Sequence, residues 1–318
     1  MNKNLVAVDK LTKYFKTSCG MLHAVDGISL SIDEGRTLGV VGESGCGKTT
    51  AGRAILRLIE PTSGSIQFDG HDVLKLNESE MRRARREMQI IFQDPFSSLD
   101  PRKTINQIIS EPIAIHKLIS DKREREERVR ELMGTVGLAE RLMNTYPHEL
   151  DGGRRQRIGI ARALALYPRF IVCDEPVSAL DVSIQAQILN LLKDLQEKLG
   201  LTYMFITHDL SVVNHFSDDI AVMYLGKLVE KAPAEELFTH PLHPYTKALI
   251  SAIPIPSLSA RKQRIILKGE VTSPIDLPDE CRFIKRCLHA CEKCRERNPE
   301  LAEAAPHHFV ACILNNNE

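Results

Sequence analysis

No apolar run in the sequence approaches the roughly 20 residues that a membrane-crossing helix needs, so any membrane role is expected to come through a partner. Neither sign of charge is in excess. Lys+Arg and Asp+Glu number 42 each, which leaves no bulk basic field and argues against general nucleic-acid binding. The stretch from Met1 to Lys16 mixes charge with short apolar pieces and lacks an h-region, so it does not read as a signal peptide and a cytosolic chain is expected. Cysteine is sparse over most of the length. Cys19, Cys46 and Cys173 are scattered, whereas Cys281, Cys287, Cys291, Cys294 and Cys312 crowd the tail. In a reducing compartment that crowding suggests metal or cluster ligation before disulfides. At 318 residues there is room for one large domain and an appendage.

What is present begins with Gly42-Glu43-Ser44-Gly45-Cys46-Gly47-Lys48-Thr49, which fits G-x-x-x-x-G-K-[ST]. The buried strand expected over Thr37 to Val41 precedes it, and a helix is expected over Thr50 to Leu58. Glycines between strand and helix let the backbone wrap a phosphate chain with its N–H groups inward, and the helix points its positive end the same way. Lys48 would reach the β- and γ-phosphates, and the Thr49 hydroxyl would ligate Mg²⁺. A chance glycine-rich turn is the bland alternative, and the flanks weigh against it.

Strands alternate with helices along the rest of the chain. Short strands are expected at Leu5 to Val8, Ile28 to Ile32, Gly64 to Phe68, Met88 to Phe92, Phe170 to Cys173 and Thr202 to Thr207, with a hairpin around Gly226. A helix is expected from Ile158 to Leu166, and another carries Ile184, Ile188, Leu191, Leu195 and Leu199 on one face before Gly200 ends it. The charge-laced face from Asp121 to Glu131 reads as solvated surface, and Cys173 as plain core. Tyr14 and Phe15 are open to two readings, core or a platform for a nucleotide base. A Pro- and Ser-containing linker is expected from about Ile253 to Ser259. In such α/β sheets ligands sit at the carboxyl ends of strands.

Asp174-Glu175 follows four apolar residues at such an end. The aspartate can hold a Mg²⁺ shell, and a carboxylate beside it can orient or deprotonate a water for in-line attack. With Gln93, Gly152-Gly153, Asp181 and His208 in order, residues 1 to 260 resemble the ATP-binding cassette (ABC) ATPases. The resemblance implies an α/β P-loop NTPase fold with a RecA-like core sheet, an antiparallel β subdomain and a helical subdomain at about 95–165. The nucleotide-binding domain would be 1–257, followed by a small Cys-rich C-terminal extension at 258–318. It implies ATP contacts from Gly42, Ser44, Gly45, Cys46, Gly47, Lys48, Thr49 and Thr50. Thr49, Gln93 and Asp174 become Mg²⁺ ligands, Glu175 the general base, Asp181 the D-loop residue and His208 the γ-phosphate switch. Phe15 sits where the family stacks an aromatic on adenine, with Tyr14 the alternative.

The signature segment departs from the family's Leu-Ser-Gly-Gly-Gln. Leu150-Asp151-Gly152-Gly153-Arg154 would contact ATP bound to the partner subunit in a head-to-tail dimer. Asp151 suits a helix N-cap, yet an ionised carboxylate only accepts hydrogen bonds and repels phosphate. Arg154 could offset that charge, so an impaired and a compensated partner site are both open.

The Walker segment, Ile91 to Pro101 and His243-Pro244-Tyr245-Thr246 resemble the peptide/nickel importer branch, and within it the F-type ATPase of dipeptide and oligopeptide importers. That implies a heterodimer with a D-type ATPase, two membrane permeases and an extracellular binding protein, with no nucleic acid, at the cytoplasmic side of the membrane. Cys281, Cys287, Cys294 and Cys312 follow the branch's pattern, which is associated with a [4Fe–4S] cluster; four thiolates can also hold zinc, and the cluster comes first because no ligand histidine is required. Cys291 is extra to it. A nickel or metallophore importer of the same branch, an exporter ATPase, and a non-transport ABC protein acting on ribosomes or DNA are the rival readings.

Overall fold

A computed structural model describes residues 3–253, 264–267, 269 and 273–315. In chain order the elements are β1 (Asn4–Thr17), β2 (Gly20–Asp33), β3 (Thr37–Val41), α1 (Lys48–Ile55), β4 (Ser63–Phe68), β5 (His71–Asp72), α2 (Glu78–Glu87), β6 (Met88–Ile91), α3 (Ile105–Ile115), α4 (Lys122–Thr135) and α5 (Gly152–Leu164). They continue with β7 (Phe170–Asp174), α6 (Val182–Leu199), β8 (Thr202–Thr207), α7 (Leu210–Phe216), β9 (Asp219–Tyr224), β10 (Lys227–Pro233), α8 (Ala234–Thr239), α9 (Pro244–Ser251), β11 (Ala302–Ala305) and β12 (His308–Val310). The chain divides into two compact units, and it passes between them several times, among other places inside β1, β2 and β8.

The first unit comprises residues 1–5, 33–36 and 75–204. Its parallel pair β6–β7 is in register from Met88 opposite Phe170 to Ile91 opposite Cys173. Every residue of β7 is buried, as an apolar run covered on both faces should be. Helices α3, α4 and α5 make the helical part, with Ile108, Ile109, Val129, Leu132, Ile158 and Ile160 in its core. Each helix starts on a side-chain cap: Thr104 with Gln107 as a capping box, Asp121 to Arg123 and Glu124 N–H, Asp151 to Arg154 N–H.

The second unit comprises residues 6–32, 37–74 and 205–318. One sheet runs β2-β1-β4-β5, with β1 antiparallel to β4. Another runs β11-β12-β10-β9-β3, parallel at β3–β9 and antiparallel from β9 outward. The tail hairpin β11–β12 thus joins the sheet edge beside β10, with Lys231 opposite Phe309.

Three expectations shift. The strands expected at Leu5 to Val8 and Ile28 to Ile32 are the beginning of one 14-residue strand and the end of another, because residues of weak β-propensity are carried along by pairing. Helix α5 starts at Gly152 and not near Ile158, since the Asp151 cap satisfies the N–H of Arg154 that glycines alone would leave open. On α6 the buried stripe is Ile188, Leu192 and Leu195, while Leu199 is 55% exposed beside the terminating Gly200. The charged face from Asp121 onward is mostly exposed and Cys173 is fully buried, as expected. The expected linker lies outside the described residues except for Ile253.

Candidate functional site

In the second unit, β3 delivers the chain into the glycine loop. Gly47, the N-cap of α1, has φ 103°, and a Cβ there would sit 2.0 Å from the carbonyl oxygen of Ala24. No other residue fits that approach. Ser44 and Gly45 are exposed, Cys46 is 2% exposed and Thr49 and Thr50 are half-buried. Burial pushes the Cys46 thiol above its ordinary pKa, so it packs as a small apolar group. Lys48 is buried, and its Nζ donates to the carbonyl oxygens of Gly42 at 2.8 Å and Glu43 at 3.1 Å. His208, at the end of β8, is exposed.

Tyr14 and Phe15 part company within β1. The Tyr14 hydroxyl donates to Asp26 Oδ1 at 2.5 Å and its ring stacks on His23 at 4.1 Å, so it is engaged inside the fold. Burial and the Asp26 carboxylate push its phenol up to about 12. Phe15 is 37% exposed with Lys13 Nζ 4.8 Å from its ring centre. Only Phe15 of the two offers an open face to a base.

In the first unit the parallel register of β6 and β7 brings their carboxyl ends side by side. Two residues beyond Ile91 is Gln93, and two beyond Cys173 is Glu175. Gln93 Nε2 donates to Glu175 Oε2 at 2.8 Å. Asp174 is 1% exposed, so its carboxylate is directed from a fully buried strand end. Glu175 has φ 46°, a left-handed conformation that a residue of this kind holds only where its surroundings over-determine it. Ser178 Oγ donates to the Glu175 carbonyl at 3.1 Å and closes the turn toward Asp181, the N-cap residue of α6.

The signature segment lies against that same turn. A Cβ on Gly153 would meet Ile184 Cγ2 at 2.7 Å, and one on Gly152 would meet Leu180 at 3.1 Å, so the two glycines permit the contact between the start of α5 and the start of α6. Asp151 caps α5 by accepting from Arg154 N–H at 2.8 Å, and its other oxygen is 3.3 Å from the Arg154 guanidinium.

Several residues with work to do carried no motif. Arg155 Nε donates to the Pro147 carbonyl at 2.6 Å, and its guanidinium lies 3.7 Å from the ring centre of Phe96, which is 61% exposed. Arg162 Nη1 donates to Ser98 O at 2.5 Å. Together they tie α5 to the segment after Gln93. Glu43 is the loop residue to which the motif assigns nothing, yet Arg286 from the tail grips its carboxylate with both terminal nitrogens, at 2.7 and 3.1 Å. The only signals were the i, i+4 spacing of Arg282 and Arg286 and the free position in the G-x-x-x-x-G-K-[ST] pattern.

The tail thiols share one neighbourhood. Cys281 N–H donates to the Cys294 carbonyl at 2.9 Å, and Cys291 Sγ is 3.6 Å from Cys294 Sγ. Burial first, then the neighbouring Cys294, Cys312 and Cys287, pushes the Cys281 thiol up to about 11, and Cys287, Cys294 and Cys312 are raised as well. Among the described residues, however, no group of three or more Cys, His, Asp or Glu is arranged to hold a metal ion. The extra thiol, Cys291, is exposed and free of any disulfide, within hydrogen-bond reach of the free thiol of Cys294. Among the described residues no helix is long and apolar enough to cross a membrane.

Residues 25–178 match the ABC transporter family, and residues 229–294 match the oligopeptide/dipeptide transporter C-terminal region. The chain is 54% identical over 303 residues to the oligopeptide transport ATP-binding protein AppF of Bacillus subtilis (strain 168), covering 94% of this chain and 92% of that protein. It is 49% identical over 319 residues to the dipeptide transport ATP-binding protein DppF of Haemophilus influenzae, covering 98% and 97%. Among solved structures, a dimeric ATP-binding cassette in a post-hydrolysis state with ADP and Pi matches with a TM-score of 0.67 at 32% identity, over 72% of this chain and 98% of that one. The cbiO1 subunit from Clostridium perfringens, part of an ABC transporter complex, matches with a TM-score of 0.66 at 28% identity, over 76% and 92%. With the glycine loop, the buried aspartate and the glutamine-held glutamate in place, the chain belongs to the ABC transporter family, among its ATP-binding proteins that carry an oligopeptide/dipeptide transporter C-terminal region.

Proposed function

We propose that this chain hydrolyses ATP to power the uptake of dipeptides or oligopeptides, as one ATPase of an ABC importer at the cytoplasmic face of the membrane. The observation that carries the chemistry is the hydrogen bond from Gln93 to Glu175 at the shared end of β6 and β7. It holds a carboxylate where a water can be oriented or deprotonated, and catalysis is otherwise positioning and electrostatics. Lys48 and the backbone of Gly42 to Thr50 bind the phosphates, Phe15 stacks on adenine, His208 touches the γ-phosphate and Asp181 serves as the D-loop residue. Thr49, Gln93 and Asp174 present oxygen donors of the kind a small hard cation takes, and would hold Mg²⁺. When bound, Mg²⁺ neutralises charge on the β- and γ-phosphates.

The family relationship supports the finer assignments: a D-type ATPase as heterodimer partner, two permeases above, an extracellular peptide-binding protein feeding them, and a division of the chain at 257/258. A [4Fe–4S] cluster or Zn²⁺ on Cys281, Cys287, Cys294 and Cys312 has only the gathering of four thiols in its favour, and no step is derived through it. Iron, sulfide and zinc assays on anaerobically purified protein decide it; a colourless, metal-free protein removes it.

At the partner's nucleotide, the signature segment supplies Asp151 where a hydroxyl donor is usual. The exposed Arg154 pair offsets that charge only modestly, since such pairs are worth about 0–1 kcal/mol. The partner's site is therefore the weaker one. Asp151→Ser with Arg154→Gln is expected to raise turnover there, and unchanged site-resolved hydrolysis would contradict it. For this chain's own site, Glu175→Gln is expected to bind ATP while hydrolysis falls by about two orders of magnitude or more. Normal turnover at that site would refute the assigned base.

A further inference from the structure

Glu43 sits second in the phosphate loop, and two elements from outside the loop grip it. Its backbone N–H donates to the hydroxyl of Tyr245, a fully buried residue of α9, at 2.9 Å. Its carboxylate takes the two-pronged guanidinium of Arg286, a geometry that fixes direction as well as distance. Arg286 is only 9% exposed at its side chain and Glu43 27%, so the pair is poorly screened by solvent.

The turn that presents Arg286 is itself anchored. Phe283 is 1% exposed among Tyr224, Tyr245 and His243, with ring centres 5.2 to 5.6 Å away. Arg282 donates to Asp26, which also accepts from Tyr14 and pairs with Lys227 at 3.5 Å. Asp26 closes the segment whose Ala24 carbonyl touches Gly47, and its N–H donates to the Gly226 carbonyl at 2.8 Å. Gly226 N–H in turn donates to the Cys46 carbonyl at 2.9 Å. The two arginines of one turn therefore hold the phosphate loop at its second residue and at the strand beneath it.

We infer that Arg286, through Glu43, is a positioning residue for ATP binding, so that the cysteine-rich tail is a working part of the nucleotide site and not an appendage. This rests on the reading that Gly42 to Thr49 holds the phosphates. Removing Arg286 leaves a half-buried carboxylate uncompensated beside the place where phosphates bind. That adds negative charge and frees the loop to turn toward water, and both effects disfavour ATP.

The test is Mg-ATP binding to the full-length chain, with thermal unfolding measured alongside, for Arg286→Ala, Arg286→Lys, Glu43→Gln, the Arg286→Ala/Glu43→Gln double variant and Lys48→Ala. Arg286→Ala is expected to weaken binding about five- to tenfold, as loss of a charged hydrogen-bond partner would. Arg286→Lys should recover part of that loss, and Arg286→Ala should cost nothing further once Glu43→Gln has removed the charge. Unchanged affinity in Arg286→Ala, even with a lower melting temperature, overturns the inference. So does an equal loss in the Glu43→Gln background, because Arg286 would then not act through Glu43. Undiminished binding by Lys48→Ala would instead sink the reading of the loop itself.

Discussion

Tyr14 and Phe15 are adjacent in β1, and their side chains are committed differently. Tyr14 spends its hydroxyl on Asp26 and its ring on His23, whereas the Phe15 face is open. Phe15→Ala is expected to weaken ATP binding by about five- to a hundredfold, the loss of one base–aromatic stack. Tyr14→Phe should leave affinity alone and lower stability by about 1 kcal/mol, the worth of one hydrogen bond. Equilibrium nucleotide binding and chemical denaturation of the two variants check both. At this scale the motif residues were legible, because phosphate, magnesium and water chemistry dictate residue type at fixed spacing. Glu43, Arg155 and Arg286 were not, because what matters about them is the partner they meet across 243 residues, as for Glu43 and Arg286, or against an exposed ring.

Helix α5 joins the signature segment to the stretch that follows Gln93. Arg155 lies under Phe96 and Arg162 donates to Ser98, so displacement of one element is felt by the other. Arg162→Ala is expected to destabilise the protein by about 1–3 kcal/mol and to speed hydrogen exchange over residues 93–99; unchanged exchange there would show the tie to be ornamental.

At the sheet edge, β12 brings His308, 1% exposed, against Glu230, fully buried, at 2.7 Å. Glu230 also accepts from Leu242 N–H at 2.6 Å and His243 N–H at 3.0 Å. Bonding to Glu230 raises the His308 pKa above its ordinary value. The stabilisation is therefore complete below the unfolded-state pKa of about 6.5 and is lost as pH rises through the higher folded-state value. His243 acts with the opposite sign, since burial holds it down to about 4: it costs stability as pH falls from about 6.5 toward that value, equally in wild type and His308→Gln. The melting-temperature gap between wild type and His308→Gln should be widest in mildly acidic solution and narrow above neutrality; a gap independent of pH would contradict the assignment. Element type was legible from periodicity along β3, β7 and β8. Element ends were not, because α5 begins on a side-chain cap and β1 and β2 extend through pairing, both of which depend on neighbours.

For the whole molecule, the two ends of the chain meet at one function. The tail, whose cysteines read in isolation as a metal site, is bound by Arg282, Arg286 and His308 to Asp26, Glu43 and Glu230 of the nucleotide-binding half. Thiol spacing was visible in the sequence; the arrangement of the thiols in space was not, since it follows from how the turns between them pack. On the proposed function, the choice of cargo belongs to the binding protein and permeases. Hydrolysis at this chain's own site is expected to drive peptide uptake. The direct measurement is ATP-dependent uptake of a labelled peptide into proteoliposomes holding this chain, its partner ATPase, the permeases and the binding protein. With Glu175→Gln, uptake should cease while nucleotide stays bound. Uptake at the wild-type rate would contradict the account.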